Sequence, residues 1–200
     1  MRLDHIAYRT ADRKKAAEFF MSAFGYKIQT EFELNFDDGS KAKCIALEPP
    51  EKTVENAPWK AFEVILPECN LEPNVYTKAC HCIGYSDSKK VEMHLAPEIF
   101  VSDGTPDSIV GKWVANRDGI GGIHHLAYQV ESVEETVKVW KDKGYAEFSS
   151  ADVLKCPGLT QIFTKPSSLT GVIYEFINRG KHGFCEGNVK ELMLSTKDNK

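Results

Sequence analysis

"LDHIAYRT" (Leu3–Thr10) and "IHHLAYQV" (Ile123–Val130) are two renderings of one strand-like phrase, with His5 falling opposite His125. Each is followed by an amphipathic helix. The spacing predicts the first over roughly Asp12–Phe24, with Ala16, Phe19, Phe20, Ala23 and Phe24 at helical intervals. The second opens on a capping box, Ser132 with Glu135, and carries Val133, Val137 and Trp140 along its inner stripe. Both close on Gly-Tyr (Gly25-Tyr26 and Gly144-Tyr145), where glycine suits the left-handed residue that ends a helix. His5 to Gly25 is 20 positions and His125 to Gly144 is 19. Two matched ends at nearly equal spacing point to a duplicated β-α unit.

Strands complete each unit. Phe32, Leu34 and Phe36 alternate before an Asp38-Gly39 turn, and "KAKCIAL" returns. In the second half "LTQIFTKP" and "TGVIYEFINR" read as strands, so the repeat is β-α-β-β-β, twice. Glu175 lies in the last strand of the second unit, 50 positions after His125. The first unit offers Glu63 or Glu98 as its counterpart. Glu98 lies 93 positions after His5, which implies an insertion at about residues 51–90. Successive strand residues face opposite sides of a sheet, so only one of His124 and His125 is expected to enter a given pocket. Repeat symmetry selects His125, and His124 is expected to face away into packing or solvent. Two histidines and at least one carboxylate at repeat-equivalent places suit a divalent metal that keeps positions open for substrate.

The rest of the composition narrows the setting. A net charge of −4, with signs mixed along the chain and no long basic run, argues against nucleic-acid or anionic-membrane surfaces. No run approaches the roughly 18 apolar residues of a membrane span. The N-terminus lacks the apolar stretch of a secretory signal, and the six irregularly spaced cysteines fit free thiols in a reducing cytoplasm. "CHC" at Cys80–Cys82 has no second half with zinc-finger spacing.

At these residues the sequence resembles the vicinal oxygen chelate superfamily, over nearly the whole chain except the insertion. The resemblance implies an α+β fold in which two βαβββ modules form a cup-shaped mixed sheet around one metal. The modules would be residues 1–119 and 120–195, followed by a 196–200 tail. The implied ligands are His5, His125 and Glu175, with Glu98 at the fourth place. Two members are close in pattern. "EIFVSDGTPDSIVGKWVANRDGIGGIHHLAYQV" is similar to the middle of methylmalonyl-CoA epimerases, in whose register Glu98, Gly104, Gly111 and His125 fall. "QIFTKPSSLTGVIYEFINRGKHGFCEGNVKEL" (Gln161–Leu192) is similar to the end of 4-hydroxyphenylpyruvate dioxygenases. That likeness implies a pocket lined by Gln161, Phe163 and Phe184, and a gating helix beginning near Asn188 that completes the substrate site. The dioxygenases also carry an additional N-terminal domain that 200 residues cannot hold. Their gating helix begins on a phenylalanine where this chain has Val189.

Ligand number separates the chemistries. Three protein ligands leave three of six positions, enough for a chelating keto acid and O₂ on Fe(II). Four leave two, enough for an enolate or diolate on Co, Mn, Zn or Mg in an epimerase or lyase, where a carboxylate moves the proton. Glu98 therefore decides between these readings and, with Gln161, is a candidate for a direct role in the reaction. The competing readings for Glu98 are a salt-bridged or solvated carboxylate, or Glu63 in its place. His94, four before Glu98, reads as structural rather than as a fifth ligand. The leading expectation is an Fe(II)- and O₂-dependent enzyme acting on a small keto acid. The alternatives are a non-redox epimerase or lyase, and a binding protein without chemistry. Two modules would close the cup within one chain or across a homodimer.

Overall fold

The computed structural model describes residues 1–50, 96–179 and 185–196. By its internal contacts the chain divides into Met1–Pro49 with Pro97–Lys200, and Pro50–Ala96. The strands and helices named below belong to the first of these. The expected insertion, Glu63, His94, Cys80–Cys82 and Phe184 lie outside the described residues.

The first module runs β1 (Arg2–Thr10), α1 (Arg13–Phe24), β2 (Lys27–Asn35), β3 (Lys41–Glu48) and β4 (Glu98–Gly104). A short α2 (Ile109–Ala115) links it to the second module. That comprises β5 (Gly121–Gln129), α3 (Val133–Asp142), β6 (Leu154–Cys156), β7 (Leu159–Phe163) and β8 (Ile173–Arg179), and α4 (Glu186–Ser195) follows. The eight strands form one curled sheet in the order β2-β3-β4-β1-β5-β8-β7-β6, which reads the same from either end once the modules are exchanged. β1 and β5 meet antiparallel at its centre, and each pairs in parallel with the last strand of its own module. The cup thus closes within one chain.

Helix ends follow their local chemistry. Asp12 caps α1 by accepting from the Lys15 amide, Ser108 caps α2 by accepting from that of Gly111, and Ser132 caps α3 by accepting from that of Glu135. Gly25 and Gly144 take positive φ at the ends of α1 and α3, as the repeat predicts.

The sheet has two differently covered faces. On one, Ala17 of α1 packs with Ile45, Leu47, Ile99 and Val101, while Val133 and Val137 of α3 pack with Ile162 and Phe176. On the other, Ala7, Cys44 and Phe100 meet Val110 and Trp113 of α2 and Val189 and Met193 of α4. The stripe expected on α1 is only partly buried. Ala17 is inside, Ala16 and Phe20 are half-buried, and Phe19 and Phe24 are 56% and 55% exposed. Phe19 lies about 160° around the helix from the buried Ala17 and faces out, and Phe24 is the last residue of α1.

Candidate metal centre and cavity

The centre of the sheet sets the geometry. In the β1/β5 ladder His5 lies opposite Ala127 and Ala7 opposite His125, so the two histidines are related by the module exchange. In the parallel ladders Ala127 is registered with Glu175, and Ala7 with Phe100. His5 Nε2, His125 Nε2 and Glu175 Oε2 converge at 3.1–3.3 Å from one another, and all three side chains are buried.

The mirror image of Glu175 is therefore Phe100, and Glu98 is the mirror image of Ile173. Glu98, expected at the fourth place, stands two residues out of register. Its carboxylate is not with the three, but is held by Arg179 Nη2 at 2.7 Å. Phe100 is buried in its stead, its ring 6.5 Å from that of His5.

Each of the two histidines is oriented by the residue before it. The register of β1 against β5 shifts between Leu3 and His5 and again between Ala7 and Tyr8, where His125 is followed on the partner side by Ile123. Asp4 and His124 are the extra residues of these two bulges, and a bulged residue escapes strict alternation. His5 Nδ1 donates to Asp4 Oδ1 at 2.9 Å, and His125 Nδ1 lies 2.8 Å from His124 Nδ1. The expectation that His124 faces away is overturned by the bulge: it lines the same cavity as His125, edge-on to Trp113. Gly121 enables the close approach, because at φ +85° a Cβ there would meet the Arg9 carbonyl oxygen at 2.0 Å.

Charges in the cluster are strongly coupled. Burial would raise Glu175, but the two histidines outweigh it and bring its pKa to about 2. Burial would lower His5, yet Glu175 and Asp4 raise it to about 9. Burial lowers His125 despite its bond to Glu175, and burial with Arg9 nearby lowers His124 well below the usual imidazole range. Asp4 is itself brought to about 2 by His5 and Arg179 against the effect of burial. Arg179 clasps Asp4 with Nε and Nη2 at 2.9–3.2 Å, completing the chain Glu98–Arg179–Asp4–His5.

The donor set fits a divalent metal. Ligand atoms at bonds of about 2.1 Å stand about 3.0 Å apart on an octahedron and about 3.4 Å on a tetrahedron, and the observed 3.1–3.3 Å lies between. The Asp4 carboxylate behind His5 is the kind of outer partner that fixes a ligating imidazole.

A cavity opens onto these three residues, and its roughly 440 Å³ of empty space includes a solvent-filled mouth. Gln161 and Phe163 line it, Phe163 with its ring 4.6 Å from that of His125. Gln161 is 1% exposed, and its Nε2 has no hydrogen-bond partner among the described residues. Asn188 is buried on α4, but that helix lines the cavity with Val189, Leu192 and Met193. Sequence reasoning missed Asp4, Arg179, His124 and Arg9. Only Arg9 had a legible signal, since His5, Ala7 and Arg9 share one strand face.

Residues 4–155 match the Glyoxalase/Bleomycin resistance protein/Dioxygenase superfamily, the vicinal oxygen chelate fold. The chain belongs to this superfamily. Among solved structures it is similar to a mutant of 4-hydroxymandelate synthase from Streptomyces coelicolor, with 17% identity and a TM-score of 0.65 over 98% of this chain and 53% of that one. The chain thus spans about half the length of that protein. It is also similar to methylmalonyl-CoA epimerase from Mycobacterium tuberculosis, with 17% identity and a TM-score of 0.55 over 90% and 88% of the two chains. A hypothetical protein from Bacillus halodurans shares 19% identity and a TM-score of 0.56, over 92% and 98%. No curated protein matches. At such identities these likenesses establish the vicinal oxygen chelate fold alone. Among the described residues no helix is long and apolar enough to cross a membrane.

Proposed function

We propose that the protein is a metal-dependent oxygenase of the vicinal oxygen chelate type, with Fe(II) held by His5, His125 and Glu175 and a small 2-oxo acid as substrate. The observation that carries this reading is Phe100 at the mirror position of Glu175. Two histidines and one carboxylate are the ligand set of non-haem Fe(II) oxygenases, whose open positions serve substrate and O₂. When bound there, ferrous iron supplies a chelation point for the oxo acid and the site of O₂ activation.

The residues of the chain account for the remainder. Gln161 presents an unpartnered amide nitrogen to the cavity and donates to a substrate carboxylate or carbonyl oxygen. Phe100, Phe163, Val189 and Leu192 form apolar walls that keep bulk water from the reacting atoms. Asp4 holds the His5 ring in place through Nδ1, and Arg179 holds Asp4. The epimerase reading asks for a free carboxylate beside the metal, and the Glu98 carboxylate is engaged by Arg179.

Reconstitution with Fe(II) under anaerobic conditions, metal analysis and O₂ uptake with a panel of 2-oxo acids test the proposal. The expected result is one iron per chain and substrate-dependent O₂ consumption. Deuterium exchange next to a carbonyl without O₂ uptake would replace it with the epimerase or lyase reading, on Co, Mn, Zn or Mg. Failure to retain any metal would leave a ligand-binding protein.

A further inference from the structure

The cavity holds a cation that the metal centre does not explain. Arg9 is 2% exposed, on the same face of β1 as His5. Its Nη2 donates to Thr196 Oγ1 at 3.3 Å, its guanidinium lies 5.7 Å from the Trp113 ring centroid, and its Nη1 has no hydrogen-bond partner among the described residues. Among the described residues no carboxylate pairs with it. The contrast with the other buried arginines is sharp. Arg13 is bound by Asp103 and Glu31, and Arg179 by Asp4 and Glu98. Burial draws the Arg9 pKa down to about 9, aided by Arg117, which still leaves it charged at neutral pH.

His124 shares that end of the cavity. Its ring packs edge-on against Trp113 at 5.5 Å, and its Nε2 is buried without a hydrogen-bond partner among the described residues. If His125 binds metal through Nε2, its remaining proton sits on Nδ1 and points at His124 Nδ1. His124 then carries its own proton on Nε2, as a donor with no acceptor. A buried unpaired cation and a buried unpaired donor are each costly in an empty site. They are matched by an acceptor that arrives with the ligand.

We propose that the substrate has two acidic ends: an oxo-acid end at the His5–His125–Glu175 site and a second carboxylate received by Arg9 Nη1 and His124 Nε2. This rests on the preceding reading for the first end only. Four residues of strand separate the His5 and Arg9 backbones by about 13 Å, and both side chains reach into the cavity between. The second group therefore belongs on a chain of a few carbons beyond the keto group.

The test uses the full-length protein loaded with Co(II), which binds without O₂ chemistry, and isothermal titration. Three diacids, 2-oxoglutarate, 2-oxoadipate and 2-oxopimelate, are compared with the monoacids of equal carbon count, 2-oxopentanoate, 2-oxohexanoate and 2-oxoheptanoate. At least one diacid is expected to bind about tenfold or more tighter than its monoacid. That preference is expected to vanish in Arg9→Met, whose side chain keeps the bulk and removes the charge. The wild-type comparison alone decides if the variant does not fold. Equal affinities across all three pairs, or a preference that survives Arg9→Met, overturn the inference. Repeating the titrations without Co(II) separates the two claims: binding of the monoacids that ignores the metal defeats the preceding reading, whereas equal binding of both acids in a metal-dependent manner defeats this one.

Discussion

The two modules place the same backbone around one point and fill it with different side chains. In the second module the mirror set is His124, His125, Gln129 and Glu175; in the first it is Asp4, His5, Arg9 and Phe100. The histidines are equal and nothing else is. One side brings the carboxylate of Glu175, and the other answers it with the phenyl ring of Phe100. One histidine leans on a neutral imidazole, the other on a carboxylate tied to Arg179. Gln129 accepts from the Arg179 amide, while its counterpart Arg9 keeps a free Nη1. Duplication therefore accounts for the cup, and divergence inside it for the asymmetry of the cluster: a symmetric filling would bring a fourth potential ligand, and the observed one sets two histidines and one carboxylate against an apolar wall.

Making the modules alike at the Glu175/Phe100 pair should have the largest effect. Glu175→Ala removes the only carboxylate of the cluster, and metal content after dialysis is expected to fall to background, along with any turnover. Phe100→Glu installs the missing acid at the mirror place. Metal analysis should still find one ion per chain, held at least as tightly, while O₂ uptake is lost because the open side is occupied. Phe100→Leu should keep both metal and uptake. A Phe100→Glu protein that consumes O₂ like the wild type would contradict the assignment of that side as the open one.

The outer partners offer a smaller contrast. Loss of such a partner typically weakens metal binding about 10- to 100-fold. Asp4→Asn is expected near the upper end, because it removes a buried charge facing both His5 and Arg179. His124→Gln is expected nearer the lower end, since an amide can still accept from His125 Nδ1. Competition titrations against a chelator give both numbers. The reverse order would mean that His124 holds its neighbour more firmly than the carboxylate does.

Much of this was legible before any coordinates. The repeat placed His5, His125 and Glu175 in register, because a duplicated phrase carries position along with composition. Alternation put Gln161 and Phe163 on one strand face, and the resemblance to the dioxygenases, not periodicity, pointed that face at a pocket. The fourth place was not legible. Glu98 and Phe100 share a strand face, so periodicity cannot choose between them; only the pairing of β4 with β1 does, and an insertion of unknown length hid that register. His124 escaped for a related reason, since alternation assumes an unbroken ladder and the bulge breaks it. That Arg9 points inward could be read from its distance to His5. That no carboxylate among the described residues pairs with it could not, because its side-chain neighbours, Trp113 of α2 and Thr196 just after α4, are distant in sequence.

The charge asymmetry behind the two histidines also predicts how protons compete with metal. In the metal-free cluster Glu175 is ionised and His125 is neutral near pH 7, whereas His5 carries a proton on Nε2 up to about pH 9. Metal uptake must displace that one proton. Affinity for Co(II) is therefore expected to rise roughly tenfold per pH unit between pH 6.5 and 8, flattening as pH approaches about 9. The metal-free protein should move the other way. A histidine raised in the folded state stabilises it fully below the unfolded value of 6.5, and that contribution is lost as pH climbs through about 9. The gap in Tm between metal-loaded and metal-free protein should accordingly widen across this window. In Asp4→Asn, which removes one of the two acids that hold the His5 proton, the slope should flatten at a lower pH. A slope of two protons would mean that His125 is also charged in the empty site, and the two modules would then be electrostatically alike after all.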